Sequence, residues 1–460
     1  MNLNSLRVVK EFFAYTKTNN KKKSKRIEAI LLSIISSFFN RGSAVLLTIF
    51  GVSLTLPYLE VERFGIWMTL TSLSMVFGFL DFGVSNALVS RISKTSSTGQ
   101  RKKIVNVISG SIGSLLCLSM IVLVFLLTLN QFIPWEFLIK VNNISLYSEL
   151  HNSVLFFLVL FSLNIFSVGI QKIFIGMQKT HYVNIILGIF NLISLLLLRQ
   201  LAEYKAGIPI LLVVTMSAPI FTSFCLFLIL QIKNLVFFKN IFSNTILEAK
   251  ENISLGRLFF LVQIGTIAAW GGDYLLISSV LGPGDVAIYN VVQRIFFIVT
   301  QPLLILNSPL WAAYSDAYHS NDKDFIKSTL KFSLVITFLS IVIFGGLLSF
   351  FAGAIINLWT GSRIYAPSIL IFSFYIWTIL EVCGNCFAMF LNGCNEIKPQ
   401  IITTFLLCFF SIPMKIYFSI HYGLSGMLIA GSICYALITF LVYGILYRKI
   451  LSQFTSYEKK

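Results

Sequence analysis

The chain has 460 residues, of which 57% are hydrophobic and only 12% charged, and its mean hydropathy is +0.85. Globular chains carry about 25% charged residues, so a soluble enzyme, a disordered tail and a nucleic-acid-binding domain are excluded as whole-chain readings. Lys and Arg total 35 against 18 acids, a net charge of +17, and the placement of that charge decides how a polytopic membrane protein is to be read.

The first 28 residues are polar and hold eight Lys/Arg, including Lys21-Lys22-Lys23 and Lys25-Arg26. The apolar run that follows is too long for the core of a signal peptide and no small-residue cleavage pattern closes it, so it reads as an uncleaved transmembrane helix. A crossing needs about 20 apolar residues. Counting runs predicts twelve spans, at 29–56, 64–90, 104–129, 153–176, 183–200, 208–232, 256–281, 285–311, 329–356, 365–392, 400–420 and 423–446. The eighth is interrupted by Arg294, Gln301, Pro302 and Pro309. Breaks are tolerated in a membrane only where protein or water satisfies the freed backbone, so the interruption points to function. The expected class is an all-α integral membrane protein, with a basic segment 1–28, a first six-helix lobe 29–232, a linker 233–255, a second lobe 256–446 and a tail 447–460.

Loop charge orients the chain. With the N-terminus inside, the inner segments hold 26 Lys/Arg and the outer loops five (Arg63, Lys140, Arg199, Lys205, Arg363). The positive-inside rule then places both termini in the cytoplasm. Trp67, Trp135 and Trp359 fall near the outer boundary, where an aromatic belt is expected. The longest loops, 130–152 and 233–255, have 23 residues each and leave no room for a soluble domain.

The two halves echo each other. Leu59-Glu-Val-Glu-Arg-Phe-Gly-Ile-Trp67 matches Leu281-Gly-Pro-Gly-Asp-Val-Ala-Ile-Tyr289 without gaps, Gly176-Met-Gln-Lys resembles Gly393-Cys-Asn-Glu, and Tyr204-Lys-Ala-Gly207 sits like Tyr422-Gly-Leu-Ser. Their offsets agree within a few residues. Two halves in parallel repeat are the mark of a transporter with its site between them.

Four cations remain within the apolar runs, Arg41, Lys172, Arg294 and Lys415, with three acids, Asp81, Asp273 and Glu381. Charges at such depth cost several kcal/mol and are kept for a site, a partner or a pathway. Arg41 lies mid-run and Arg294 about nine residues, roughly 14 Å, from the outer end, so neither reaches the interface easily. Lys172 and Lys415 lie within about five residues of a run end, where a long stem can carry the ammonium out. The cations come from both halves, which suits an anionic ligand. Arginine suits pyrophosphate, because its planar fork donates parallel hydrogen bonds and stays charged. The competing reading is an interhelical lock of Arg41 or Arg294 with Asp81 or Asp273. The three acids are candidates for H⁺ or Na⁺ coupling or for helix packing. Tyr58, Trp67, Trp270, Tyr274 and Tyr289 are candidates for stacking on sugars, against a belt role.

Other chemistries are not indicated. The four histidines are scattered, and Cys383-x-x-Cys386 has neither a second pair nor a nearby His, so no metal or other cofactor is expected. No phosphate-binding Gly-rich loop is present. The basic N-terminus reads as an orientation signal or a patch for anionic lipid rather than a nucleic-acid arm.

Phe64-Gly-Ile-Trp, Leu80-Asp-Phe-Gly-Val-Ser-Asn-Ala-Leu-Val-Ser-Arg91, Asp273-Tyr-Leu-Leu-Ile, Ala287-Ile-Tyr-Asn-Val-Val-Gln-Arg294 and Tyr422-Gly-Leu-Ser-Gly426 resemble the polysaccharide (O-antigen type) flippase family. That family lies within the multidrug/oligosaccharidyl-lipid/polysaccharide exporter superfamily. The resemblance implies a V-shaped bundle whose cavity is lined largely by helices 1, 2, 7 and 8, those bearing Arg41, Asp81, Asp273 and Arg294. It implies movement of undecaprenyl-pyrophosphate-linked oligosaccharide, an O-antigen or capsule repeat unit, across the bacterial inner membrane to the periplasmic leaflet. H⁺ or Na⁺ is the implied coupling ion, with polysaccharide polymerase and chain-length proteins as partners. A drug or cation exporter of the same superfamily and a membrane polymerase or ligase are the alternatives.

Overall fold

The structure, a computed structural model, describes residues 21–447 apart from 98–99, 142, 238–240, 242–244, 267–271, 308–309, 320–321 and 395–397. Among the described residues there are helices and no strands. Among the described residues nine helical stretches are long and apolar enough to cross a membrane, and the protein is a multi-pass membrane protein. Two of the nine, Ile35–Asp81 and Gln400–Tyr447, run 47 and 48 residues, twice the ~20 residues of one crossing. Each turns sharply inside, at Glu60 (φ 64°, ψ 176°) and at Gly423 (φ 63°, ψ −154°), and each holds two spans. The seventh span is described as the helices Thr245–Thr266 and Asp273–Val280, on either side of 267–271, which lie outside the described residues. Among the described residues, each of the twelve runs contains helix.

The eighth span forms one helix, Pro283–Asn307, with Pro302 inside it, while Pro309 lies outside the described residues. The sixth span is divided at Ser217 into Ile208–Met216 and Ala218–Ile232. Pro219 has no N–H to offer. The backbone at this break is satisfied from the fourth span: Asn164 Nδ2 donates to the Met216 carbonyl at 3.1 Å and Gln171 Nε2 to the Pro219 carbonyl at 3.2 Å.

The halves repeat in backbone conformation as well as in residue type. Glu60 and Gly282 (φ 116°) stand in register in the first sequence match, and Lys205 (φ 50°) and Gly423 in the third. Lys140 (φ 55°) and Gly361 (φ 61°) add a pair at nearly the same spacing. All six lie at turns on one face of the bundle, here the upper face.

The halves meet above and part below. The largest buried cluster runs through the upper part of both, from Val52, Leu56 and Phe64 to Val286, Ile356 and Phe374. At the lower end each half keeps its own core, one built from Ile92, Ile108, Phe174 and Leu230 and the other from Tyr314, Ile326, Phe390 and Tyr443. Contact above is backbone-close: a Cβ on Gly65 would lie 1.7 Å from the Pro283 carbonyl oxygen. Lys140 Nζ donates to the Val280 carbonyl at 2.7 Å, Ser278 Oγ to the Ile139 carbonyl at 2.9 Å and Trp359 Nε1 to the Ile49 carbonyl at 3.0 Å. Trp67 and Trp135, 4% and 2% exposed, belong to this core rather than to a lipid-facing belt.

Below, the two halves are linked by the start of the seventh span. That helix is already formed at Thr245, inside the stretch expected as a loop, and lies on the first half. Arg91 pairs with Glu248 and Glu251 and donates to Asn252 Oδ1 at 2.8 Å. Apolar association is weak inside a bilayer, and small residues and polar contacts hold helices together there. The first and fifth spans meet in that way: Asn184 Nδ2 donates to Ser37 Oγ at 2.8 Å, Asn191 Nδ2 to Asn40 Oδ1 at 3.3 Å, and Gly188 lets Phe39 approach.

Candidate functional site

Two cavities of similar size sit one in each half. The cavity of the second half, about 520 Å³, is walled by the eighth and tenth spans and the start of Asp273–Val280, and closed by Met68, Thr71 and Ser72 of the second span. Arg294 stands in its wall. Its Nη1 donates to the Thr48 carbonyl at 2.8 Å and its Nη2 lies 3.3 Å from Met68 Sδ. Both partners belong to the first half, and neither neutralises the guanidinium. Five N–H groups on arginine leave donors free toward the cavity. Asn290, Gln293 and Arg294 share one helix face, and Asn290 Nδ2 donates to Tyr274 Oη (2.7 Å), which donates to Gln293 Oε1 (2.5 Å). The Asn290 Oδ1 atom is buried without a partner.

Asp273 and Lys415 form an ion pair at 2.6 Å, with side chains 19% and 8% exposed. Lys415 therefore does not carry its ammonium to the interface, and the interhelical lock offered for the arginines is made by this lysine. Neither Arg41 nor Arg294 makes an ion pair among the described residues. Glu381 lines both this cavity and a second one of about 400 Å³ toward the lower face, with Asn385, Thr403 and Thr439.

The cavity of the first half, about 510 Å³, lies among the second, fourth, sixth and seventh spans and holds Asp81 and Lys172. Asp81 Oδ1 accepts from the Gly83 amide at 2.8 Å and from Gln263 Nε2 at 3.0 Å. Lys172 Nζ donates to Asn86 Oδ1 at 3.1 Å. Arg41 is apart from both cavities, exposed on the first span one residue from the Asn40 that faces the fifth.

The seven charged positions are therefore not one cluster. Arg294, Asp273 and Glu381 share one cavity, with Lys415 bonded to its edge; Asp81 and Lys172 share the other; Arg41 stands alone. Of the aromatic candidates, Tyr274 and Tyr289 line the second-half cavity, and Trp270 lies outside the described residues. The neutral polar residues of both cavities were missed: Asn290 and Gln293, Asn164 and Gln263. A signal existed for the first two, since Asn290, Gln293 and Arg294 stand three and four residues apart, one polar stripe on an apolar helix.

Residues 43–314, more than half of the chain, match the family described as "Polysaccharide biosynthesis protein", and residues 272–417 match the family described as "MatE". A Yersinia pseudotuberculosis protein named for O-antigen export is 22% identical over 431 residues, covering 90% of this chain and 94% of its own length. Two solved structures share the fold. An inward-facing multidrug resistance MATE family transporter of the MOP superfamily superposes with a TM-score of 0.76 at 15% identity, over 91% of this chain and 99% of its own. The lipid II flippase MurJ in an inward closed conformation gives 0.65 at 16% identity, over 92% and 90%. The all-α fold and the family match over 43–314 lead to one conclusion: the chain belongs to the polysaccharide biosynthesis protein family.

Proposed function

We propose that the chain is a flippase that carries an undecaprenyl-pyrophosphate-linked oligosaccharide, an O-antigen or capsule repeat unit, from the cytoplasmic to the periplasmic leaflet of the inner membrane. The work is transport rather than chemistry on the sugar. The upper face is then periplasmic, and both termini are cytoplasmic, as the loop charges favour. Lobes 29–232 and 256–446 move against each other about the shared upper core, with 233–255 as the link. The observation that carries the reading is Arg294: a guanidinium without an ion-pair partner among the described residues, in the wall of a cavity and anchored on the backbone of the other half. A diphosphate is the ligand such a group suits best, because the fork donates bidentately and the charge survives burial. Arg41, exposed on the first span, is the second cation offered to it. Glu381 and Asp81 are the carboxylates left for H⁺ or Na⁺ coupling, Asp273 being held by Lys415.

The test is complementation of a flippase-null strain. Wild type restores surface polysaccharide, whereas Arg294→Ala and Arg41→Ala reach the membrane at normal level and restore none. Normal polysaccharide from both variants overturns the assignment. The match of 272–417 to MatE favours one rival, a drug or cation exporter. Purified protein that binds an organic cation such as ethidium but no pyrophosphate lipid would establish it instead.

A further inference from the structure

The first-half cavity differs in chemistry from the one holding Arg294, although the two are nearly equal in volume. We propose that it is a separate subsite for the glycan of the substrate, recognising sugar hydroxyls and setting which repeat unit is carried, and that Lys172 belongs to it rather than to a pyrophosphate site. The proposal rests on the flippase reading above.

Three polar atoms of this cavity's lining are buried and have no hydrogen-bond partner among the described residues: Ser85 Oγ, Asn164 Oδ1 and Gln263 Oε1. Ser85 is only 2% exposed. A buried polar atom without a partner costs about 1–3 kcal/mol, so three on one cavity of about 510 Å³ mark a place built to be filled. The amides are fixed in orientation by what their nitrogens do. Asn164 Nδ2 donates to the Leu160 and Met216 carbonyls at 3.0 and 3.1 Å, and Gln263 Nε2 donates to Asp81. Both amide oxygens are thereby left as acceptors. Lys172 supplies the opposite sense: one of its three N–H groups goes to Asn86, and two remain.

This mixture of fixed acceptors and an ammonium discriminates between ligands. A phosphate oxygen only accepts and would be repelled by Asn164 Oδ1, Gln263 Oε1 and the Asp81 carboxylate. A hydroxyl both donates and accepts and can satisfy all of them. Sites built to bond a hydroxyl reject analogues lacking it far more strongly than apolar pockets reject an extra methylene. The volume falls in the range of about 300–1,000 Å³ usual for small-molecule sites. The bend of the sixth span at Ser217 places Thr215 and Met216 in the same wall.

The experiment uses full-length protein in detergent with two probes, undecaprenyl pyrophosphate alone and the same lipid carrying the repeat unit, extracted from the producing strain. Wild type binds the glycan-bearing lipid more tightly than the bare one. In Lys172→Met and in Ser85→Ala, which removes no hydrogen bond, that preference falls by about tenfold, equal to one good hydrogen bond. Affinity for the bare lipid stays within twofold, and Arg294→Ala weakens both. If either subsite variant misfolds, shown by aggregation on size exclusion, the other decides. An unchanged preference in both variants overturns the subsite and leaves the cavity a hydrated void. Wild type that binds neither lipid overturns the flippase reading itself, and the subsite with it.

Discussion

The ion pair between Asp273 and Lys415 offers the sharpest test of what a buried cation in this chain is for. At 2.6 Å, and with an effective dielectric constant near 20, the gross Coulomb attraction is about 6 kcal/mol. Most of that is offset by taking both charges out of water, several kcal/mol per ion. Removing one partner leaves the other's desolvation uncompensated, so Lys415→Met and Asp273→Asn should each destabilise by about 3–5 kcal/mol. Removing both should cost no more than about 1 kcal/mol, since no charge is then stranded. The measurement is a double-mutant cycle on the fraction of detergent-solubilised protein that stays monodisperse after graded heating, with complementation of a flippase-null strain read in parallel. If the pair is a structural lock, the double variant regains both stability and transport. Loss of transport in Lys415→Met that the second substitution does not restore would refute this, and would return Lys415 to the substrate. If Asp273→Asn and the double variant fail alike while Lys415→Met transports normally, the carboxylate acts alone, as a coupling group would.

Closure of the upper face should respond to one β-carbon. Gly65→Ala places that atom against the Pro283 backbone, an overpacking of about 1–3 kcal/mol. Upper-face cysteines introduced near Val61 should then label about tenfold faster with a membrane-impermeant maleimide; unchanged labelling would mean that this contact does not hold the face shut. Arg91→Leu strands Glu248, which is 4% exposed, and should cost about 3–5 kcal/mol, seen as faster tryptic cutting within 233–255. Removing Glu251, whose side chain is 54% exposed, should change that rate little, because solvent-exposed pairs contribute about 0–1 kcal/mol. Arg294→Lys keeps the charge but loses the fork, and should restore less than about a tenth of wild-type polysaccharide; full restoration would show that charge alone suffices.

Hydropathy made the twelve spans readable because the bilayer imposes one length on every crossing. The repeat was readable where backbone geometry restricts residue type, at Leu59–Trp67 and Leu281–Tyr289. The turn at Asp81 was also open to inspection, since Asp commonly accepts from the amide two residues on. The Asp273–Lys415 pair was not legible. Its members are 142 residues apart, and their meeting depends on how the seventh span is set against the eleventh. Run-end distances misjudged Lys415 for the same reason, because depth along a helix says nothing about which neighbour it faces. The neutral cavity residues escaped because Asn and Gln in apolar runs also serve as helix glue, as Asn184 and Asn191 do here.

The three upper-face turns shared by the halves are not equally relaxed. In the second half each of Gly282, Gly361 and Gly423 is glycine, to which a positive φ is open at no steric cost. In the first half the matched positions are Glu60, Lys140 and Lys205, each held in a sparsely populated conformation that costs about 1–3 kcal/mol. The duplicated halves have therefore diverged in a directional way. A side chain has been fitted to a turn shape that glycine makes freely, and for Lys140 the gain is visible in its reach across to the Val280 carbonyl. Grafting second-half turns into the first would relax the backbone but sever that bridge, whereas the reverse graft would add strain with nothing to hold. An engineer recombining the halves should treat them as donor and recipient rather than as interchangeable parts.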